Sequence, residues 1–226
     1  MSGSVLAVSG IDTGIGKTYV TGMLSRALQE LGVAVITQKI AQTGCSGVAE
    51  DIVEHRRLMG IPLQDVDREG HTCPFLFSYP ASPHLAARLE SKEIDLLQLG
   101  RSTALLQQQY EMVLLEGAGG LLVPLTPDCL FADYIRDEGY PLVLVTAPRL
   151  GSINHTLLSI EACMQRGLVI RAVVYNRFGE ADPVIAADTR EVISRQLKKA
   201  GCRVPLIDLV EGALATDAAR AILQQQ

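Results

Sequence analysis

The segment that most constrains this chain is its first glycine-rich stretch. A short apolar run, Val5–Ser9, leads into Gly10-Ile11-Asp12-Thr13-Gly14-Ile15-Gly16-Lys17-Thr18, and helical spacing follows from Lys17 to near Gly32. A strand, a glycine loop and a helix in that order form the setting in which a backbone cradles phosphate. The glycines let the chain turn tightly and aim N–H groups inward, and the helix N-terminus adds partial positive charge. Lys17 has the reach for β and γ phosphates, and the Thr18 hydroxyl suits Mg2+. Five residues separate Gly10 from Gly16, one more than in the ordinary phosphate loop. A glycine turn that binds nothing would fit the loop alone; the strand before it and the helix after it weigh against that.

Further apolar runs lie at Val33–Thr37, Met112–Leu115, Leu142–Thr146 and Val169–Tyr175. Each is apolar on both faces, as buried parallel strands are. Segments with helical spacing alternate with them at Asp51–Met59, Asp95–Gln109, Ser152–Arg166 and Asp182–Lys199. The alternation predicts an α/β fold, a doubly wound and mostly parallel sheet with helices on both faces, of the P-loop NTPase type. At 226 residues, 48% hydrophobic and 20% charged, the chain reads as one globular domain with a self-sufficient core. Met59–Pro83 is the least regular stretch, with four of the ten prolines, and reads as a functional loop within that domain.

Composition narrows the partners. A formal net charge of -5 sets the whole-protein field against nucleic acid and anionic membrane. No apolar run reaches the roughly 18 residues of a membrane span. The five cysteines are scattered, without metal or disulfide spacing, and no export leader is apparent. A cytoplasmic protein with reduced thiols is expected.

Several other residues carry chemistry. Glu116 ends the run Met112–Leu115 and enters Gly117-Ala118-Gly119-Gly120. A carboxylate at the C-terminal end of a central strand is well placed to hold a metal, and hard Mg2+ prefers oxygen. Asp51 is a second oxygen donor, although by residue type it reads as a helix N-cap. Lys39, in Gln38-Lys39-Ile40-Ala41-Gln42-Thr43-Gly44, reads by base rate as a solvated lysine at a strand end. In Arg149-Leu150-Gly151-Ser152-Ile153-Asn154-His155, Gly151 exposes backbone, Ser152 suits a cap, and free N–H groups form a natural carboxylate site, unless the segment is simply a capped helix. Asn176 ends a strand, and its amide suits either an adenine edge or a turn. No nucleophile-elbow or papain-like pattern surrounds a Ser, Cys or His, so no covalent nucleophile is expected.

The loop Gly-x-Asp-Thr-x-x-Gly-Lys-Thr, the segment Glu116–Gly120, Ser82-Pro83-His84 and Arg149–His155 resemble those of dethiobiotin synthetases, over a region from about Val5 to Asn176. The resemblance implies ATP as co-substrate and Mg2+ held by Thr18, Asp51 and Glu116. It implies a nucleotide site of Asp12, Gly14, Ile15, Gly16, Lys17, Thr18, Tyr19, Glu116, Gly119 and Asn176, with Asn176 on adenine. Catalytic roles are implied for Lys17, Lys39, Thr13 and Thr43, and substrate contacts for Thr43, Ser82, Pro83, Gly151, Ser152 and Asn154. The segment at Gly151 is implied to meet the substrate carboxylate from the neighbouring subunit of a homodimer. The implied reaction is a cyclo-ligation in biotin biosynthesis, joining 7,8-diaminononanoate, CO2 or bicarbonate, and ATP. His84 is assigned no chemistry.

Some positions depart from the family pattern. Ile40 stands where proline is usual, Arg149 where lysine is, and Asp188 near where a tyrosine often falls. Pro205–Gly212 resembles the adenine-side loop only loosely. Two alternatives come from related P-loop proteins. Partitioning ATPases place a lysine where Asp12 stands. Amide-forming relatives of cobyrinate amidases carry a glutaminase domain, for which 226 residues leave no room.

Overall fold

A valine-rich segment that is apolar on both sides is stable only between two covering layers, and this chain supplies them. The computed structural model describes residues 2–179, 182–210 and 214–224. β1 (Ser4–Gly10) runs into α1 (Lys17–Glu30), followed by β2 (Val35–Lys39), β3 (Gln42–Thr43), α2 (Glu50–Met59), α3 (Asp65–Arg68), β4 (Leu76–Phe77), α4 (Pro83–Leu89) and α5 (Leu96–Gln109). Then come β5 (Met112–Gly120), β6 (Pro124–Thr126), β7 (Cys129–Leu130), α6 (Phe131–Asp137), β8 (Leu142–Thr146), α7 (Ser152–Arg166), β9 (Ile170–Asn176), α8 (Pro183–Lys199), β10 (Leu206–Leu209) and α9 (Thr216–Gln224).

Six strands form one sheet in the order β10-β9-β8-β1-β5-β2, with every pairing parallel. β2 and β8 are buried along their whole length, so both faces are covered, as the alternating pattern predicts. From β1 the chain crosses first to the edge strand β2, returns to insert β5 between them, and then passes to β8 on the other side of β1. That reversal opens a crevice at the carboxyl ends of the strands beside β1, and the glycine loop lies there. β3 pairs with β4, and β6 with β7, in two small separate ladders. Among the described residues no helix is long and apolar enough to cross a membrane.

The predicted strand at Val33–Thr37 lies at Val35–Lys39, and the helix end explains the shift. The Gly32 N–H donates to Gln29 O and the Val33 N–H to Leu28 O, with Gly32 at φ 84. Val33 is thus spent on closing α1, as the apolar residue after a left-handed glycine often is. The same pair of hydrogen bonds ends α2, α6, α7 and α8, where Ile61, Tyr140, Leu168 and Cys202 follow the glycine. After α1, α6, α7 and α8 these stops return the chain to the sheet, and after α2 the stop leads into α3.

The irregular Met59–Pro83 stretch is organised by a buried ion pair. Arg56 Nε and Nη2 donate to Asp67 Oδ2 and Oδ1 at 2.9 and 2.7 Å. Arg56 Nη1 donates to Thr37 Oγ1 at 2.8 Å, and Thr72 Oγ1 donates to Asp67 Oδ1 at 2.7 Å. Both charged groups are almost fully buried. Burial by itself would raise the Asp67 carboxyl, but the Arg56 guanidinium outweighs it and holds the group below the usual carboxylate range. Asp67→Ala leaves Arg56 buried and uncompensated, so it is expected to cost about 3–5 kcal/mol in urea unfolding at neutral pH. The combined Arg56→Met, Asp67→Leu change removes both charges and is expected to recover most of that loss. A depressed carboxyl contributes stability above its unfolded value, near ~3.9, and loses it as pH falls. The gap between parent and Asp67→Ala should therefore close on acidification.

Candidate active site

Gly10–Thr18 turns the chain from β1 into α1. Gly16 caps the helix at φ 90, and no side chain caps the first turn, which leaves its N–H groups for a ligand. A side chain at position 16 would run into the Asn176 amide. Lys17 is buried, and its Nζ donates to Asp12 O at 2.9 Å. Burial, with the neighbouring Lys39 ammonium adding to it, lowers Lys17 to about 8. Thr18 Oγ1 donates to Glu116 Oε1 at 3.2 Å.

The register of the sheet brings the next pair together. Lys39 on β2 lies directly beside Glu116 on β5. Lys39 Nζ meets Glu116 Oε1 at 2.7 Å, Asp51 Oδ2 at 2.7 Å and Gly117 O at 3.0 Å. The solvated reading of Lys39 is overturned: only 5% of it is exposed. Burial alone would depress its ammonium, but the Glu116 and Asp51 carboxylates outweigh burial and hold it above the ordinary lysine value. Burial likewise opposes ionisation of Glu116, and Lys39 with His55 reverses that and keeps it well below the usual range.

Asp51 does not cap its helix. Ala49 occupies the N-cap, and Asp51 stands in the first turn with its carboxylate on Lys39. Ile40, in the position where the family usually has proline, donates its N–H to Glu116 O at 2.9 Å, a bond proline cannot make. His55 is a site residue that the sequence reading missed. It is wholly buried, with Nε2 2.8 Å from Glu116 Oε2. Its one signal was its spacing, a turn beyond Asp51 on the same face of α2.

Thr18 Oγ1, Asp51 Oδ2 and Glu116 Oε1 all border the Lys39 ammonium or one another. They are hard oxygens suited to Mg2+, which takes one or two carboxylates and completes its shell with phosphate and water. The donor set fits the implied metal.

Other predicted residues lie around this cluster. Asp12 Oδ1 accepts the Thr13 N–H at 2.8 Å, while Asp12 Oδ2 pairs with Arg149 and lies 3.9 Å from His155. Gly151, at φ 87, caps α7, so Ser152 is not the cap. The Ser152 hydroxyl is buried without a partner, and Asn154 is exposed. Thr13 is exposed, and Gly119 sits close to its hydroxyl. Ser82 precedes α4, Pro83 begins it, and Thr43 lies on β3. Among the described residues no side-chain hydrogen bond joins Thr43, Ser82 or Pro83 to the Lys39 cluster.

On the nucleoside side, Asn176 Nδ2 donates to Ile15 O at 3.2 Å and its Oδ1 accepts the Phe178 N–H at 3.2 Å. Asn176 thus holds the loop and closes a turn. Phe178 stacks on Tyr19 with ring centres 4.3 Å apart. These residues, with Gly14, Gly16 and Arg149, line a cleft of about 500 Å3. Asp188 is exposed on α8. Of the loosely matching Pro205–Gly212, Leu206–Leu209 forms the edge strand, and Glu211 and Gly212 lie outside the described residues.

A family model described as an AAA domain matches residues 4–213. The ATP-dependent dethiobiotin synthetase BioD of Chlorobaculum tepidum is 64% identical over 218 residues, covering 96% of this chain and 91% of that protein. The ATP-dependent dethiobiotin synthetase BioD 2 of Haemophilus influenzae is 52% identical over 180 residues, covering 80% and 94% respectively. A solved ParA family ATPase from Chlorobium tepidum superposes with a TM-score of 0.54 at 17% identity, covering 100% of this chain and 91% of that one, a likeness of fold alone. With a phosphate loop at the switch point of the sheet and identities this high over nearly the whole chain, the protein belongs to the dethiobiotin synthetase family.

Proposed function

We propose that this chain closes the ureido ring of dethiobiotin from 7,8-diaminononanoate, CO2 and ATP, as a one-domain cytoplasmic homodimer. The observation that supports it most is the Lys39 ammonium, held between Glu116 and Asp51 beside the phosphate loop. One substrate amine takes up CO2 as a carbamate and gives up a proton. A carbamate oxygen attacks the γ-phosphorus, ADP leaves, and a carbamic–phosphoric anhydride remains. The second amine attacks the carbonyl carbon and expels phosphate, closing the ring.

This chemistry places negative charge on phosphate oxygens, so positioning and electrostatics carry it. Thr18, Asp51 and Glu116 would hold Mg2+, which when bound offsets part of that charge. Lys39 remains a cation, since two carboxylates hold its proton, and it serves as fixed charge rather than as a base. Lys17 leaves Asp12 O to meet the β and γ oxygens. Thr13 and Thr43 orient the carbamate, while Ser82 and Pro83 line the substrate pocket. Gly151, Ser152 and Asn154 meet the substrate carboxylate across the subunit interface, a role supported by the N-terminus of α7, where Gly151 caps without a side-chain hydrogen bond. Tyr19 and Asn176 border the base.

Phosphate release from MgATP should require both 7,8-diaminononanoate and bicarbonate, with dethiobiotin appearing one for one by mass detection. Hydrolysis indifferent to the diamine would overturn the assignment. Lys39→Ala is expected to lower kcat by on the order of 10²–10³, with thermal unfolding measured alongside to separate lost chemistry from lost fold.

A lysine near 8 is only partly charged at pH 8.5, and bound phosphates will pull its proton back on. Binding of MgADP at pH 8.5 should therefore take up protons, read by calorimetry in buffers of unlike ionisation heat. Affinity should weaken as pH rises above 8. Lys17→Arg keeps its charge throughout and should abolish both effects.

A further inference from the structure

The two oxygens of Glu116 are held by different elements. Oε1 accepts from Lys39 Nζ at 2.7 Å and from Thr18 Oγ1 at 3.2 Å. Oε2 lies 2.8 Å from His55 Nε2. An ionised carboxylate only accepts, so His55 Nε2 bears the hydrogen. The other ring nitrogen, Nδ1, is buried and has no hydrogen-bond partner. Asp51 and His55 stand one turn apart on α2, so one helix face delivers an oxygen to the Lys39 ammonium and an N–H to Glu116.

A leucine would fill this wholly buried place without orphaning a nitrogen, and a buried polar atom left unpaired is costly. Packing therefore does not account for a histidine here, whereas its N–H does. We infer that His55 is a positioning residue: it pins Glu116 Oε2 so that Oε1 faces Thr18 and the phosphate loop, and so sets how tightly the site takes a Mg2+-nucleotide. Without that hydrogen bond no donor on α2 opposes rotation of the carboxylate. Both oxygens would then turn toward Lys39, and Oε1 would be drawn off Thr18. Hydrogen-bonding partners behind a metal ligand commonly set its orientation and the affinity that follows. The inference rests on the Mg2+ and ATP reading above and requires no change in the charge of the ring.

Three variants separate a donor from a filler. Gln carries an amide N–H to about where Nε2 stands, Asn stops short of it, and Leu supplies volume without a donor. ADP binding is measured by calorimetry across a MgCl2 series, with urea unfolding of each variant alongside. The half-saturating Mg2+ should rise on the order of 10- to 100-fold in His55→Leu and His55→Asn. It should stay near the parent value in His55→Gln, with ADP binding in the absence of Mg2+ unchanged in all three. An unmoved Mg2+ requirement in His55→Leu overturns the inference, as does a His55→Gln protein impaired as badly as His55→Leu. Should His55→Leu fail to fold, the contrast between Gln and Asn decides. The measurement uses no diamine and no turnover. A parent that makes no dethiobiotin would remove the assigned reaction and leave this result standing, while a parent whose ADP binding ignores Mg2+ would remove the inference itself.

Discussion

The buried pairing of Lys39 with Glu116 is the constraint on which the site depends. A charge taken out of water is costly unless partners surround it, and here the partners come from separate elements. The register of β2 against β5 sets Lys39 beside Glu116. α2 must then pack close enough to add the Asp51 carboxylate and the His55 ring. Thr18 arrives from the phosphate loop. Moving β2 or β5 out of register would leave an ionised group dry and unpaired, so the electrostatics demand the same arrangement that the sheet order allows.

The two lysines show how surroundings divide one residue type into two roles. Lys39 touches two carboxylates and is held above its ordinary value. Among the described residues Lys17 has only a backbone carbonyl as hydrogen-bond partner, and burial together with the Lys39 charge lowers it to about 8. The first is fixed charge built into the sheet. The second is a lysine whose charge burial weakens, since among the described residues no carboxylate forms an ion pair with it.

Much of this was legible in the sequence where a single rule applied. The glycine loop, the parallel strands and the helices were readable because backbone freedom and two-sided burial leave direct marks at Gly14, Gly16 and the valine-rich runs. Lys39 and Asp51 were not readable from residue type, since a strand-end lysine is usually wet and a first-turn aspartate is usually a cap. Their identity as an ion pair depends on how α2 packs against the end of β2, which no local pattern encodes. His55 was missed because a lone histidine on a helix rich in charged residues carries no signal until Glu116 is placed opposite it. Arg56 and Asp67 were missed because the second lies in a stretch that looked like a loop.

That stretch is better understood as scaffold for β2. The Lys39 N–H donates to Thr72 O at 2.7 Å, and Thr72 Oγ1 donates to Asp67. Asp67 holds Arg56, and Arg56 returns to Thr37 on the same strand. On the other side, the Ile40 N–H donates to Glu116 O. The end of β2 is therefore tied in a closed circuit through α2 and α3 on one edge and to β5 on the other. A proline at position 40 would remove the second tie while stiffening φ. With isoleucine there, the position of Lys39 is secured by hydrogen bonds rather than by ring geometry, and Ile40 also fills a fully buried site. The departure at this position therefore leaves the charge arrangement of the site intact.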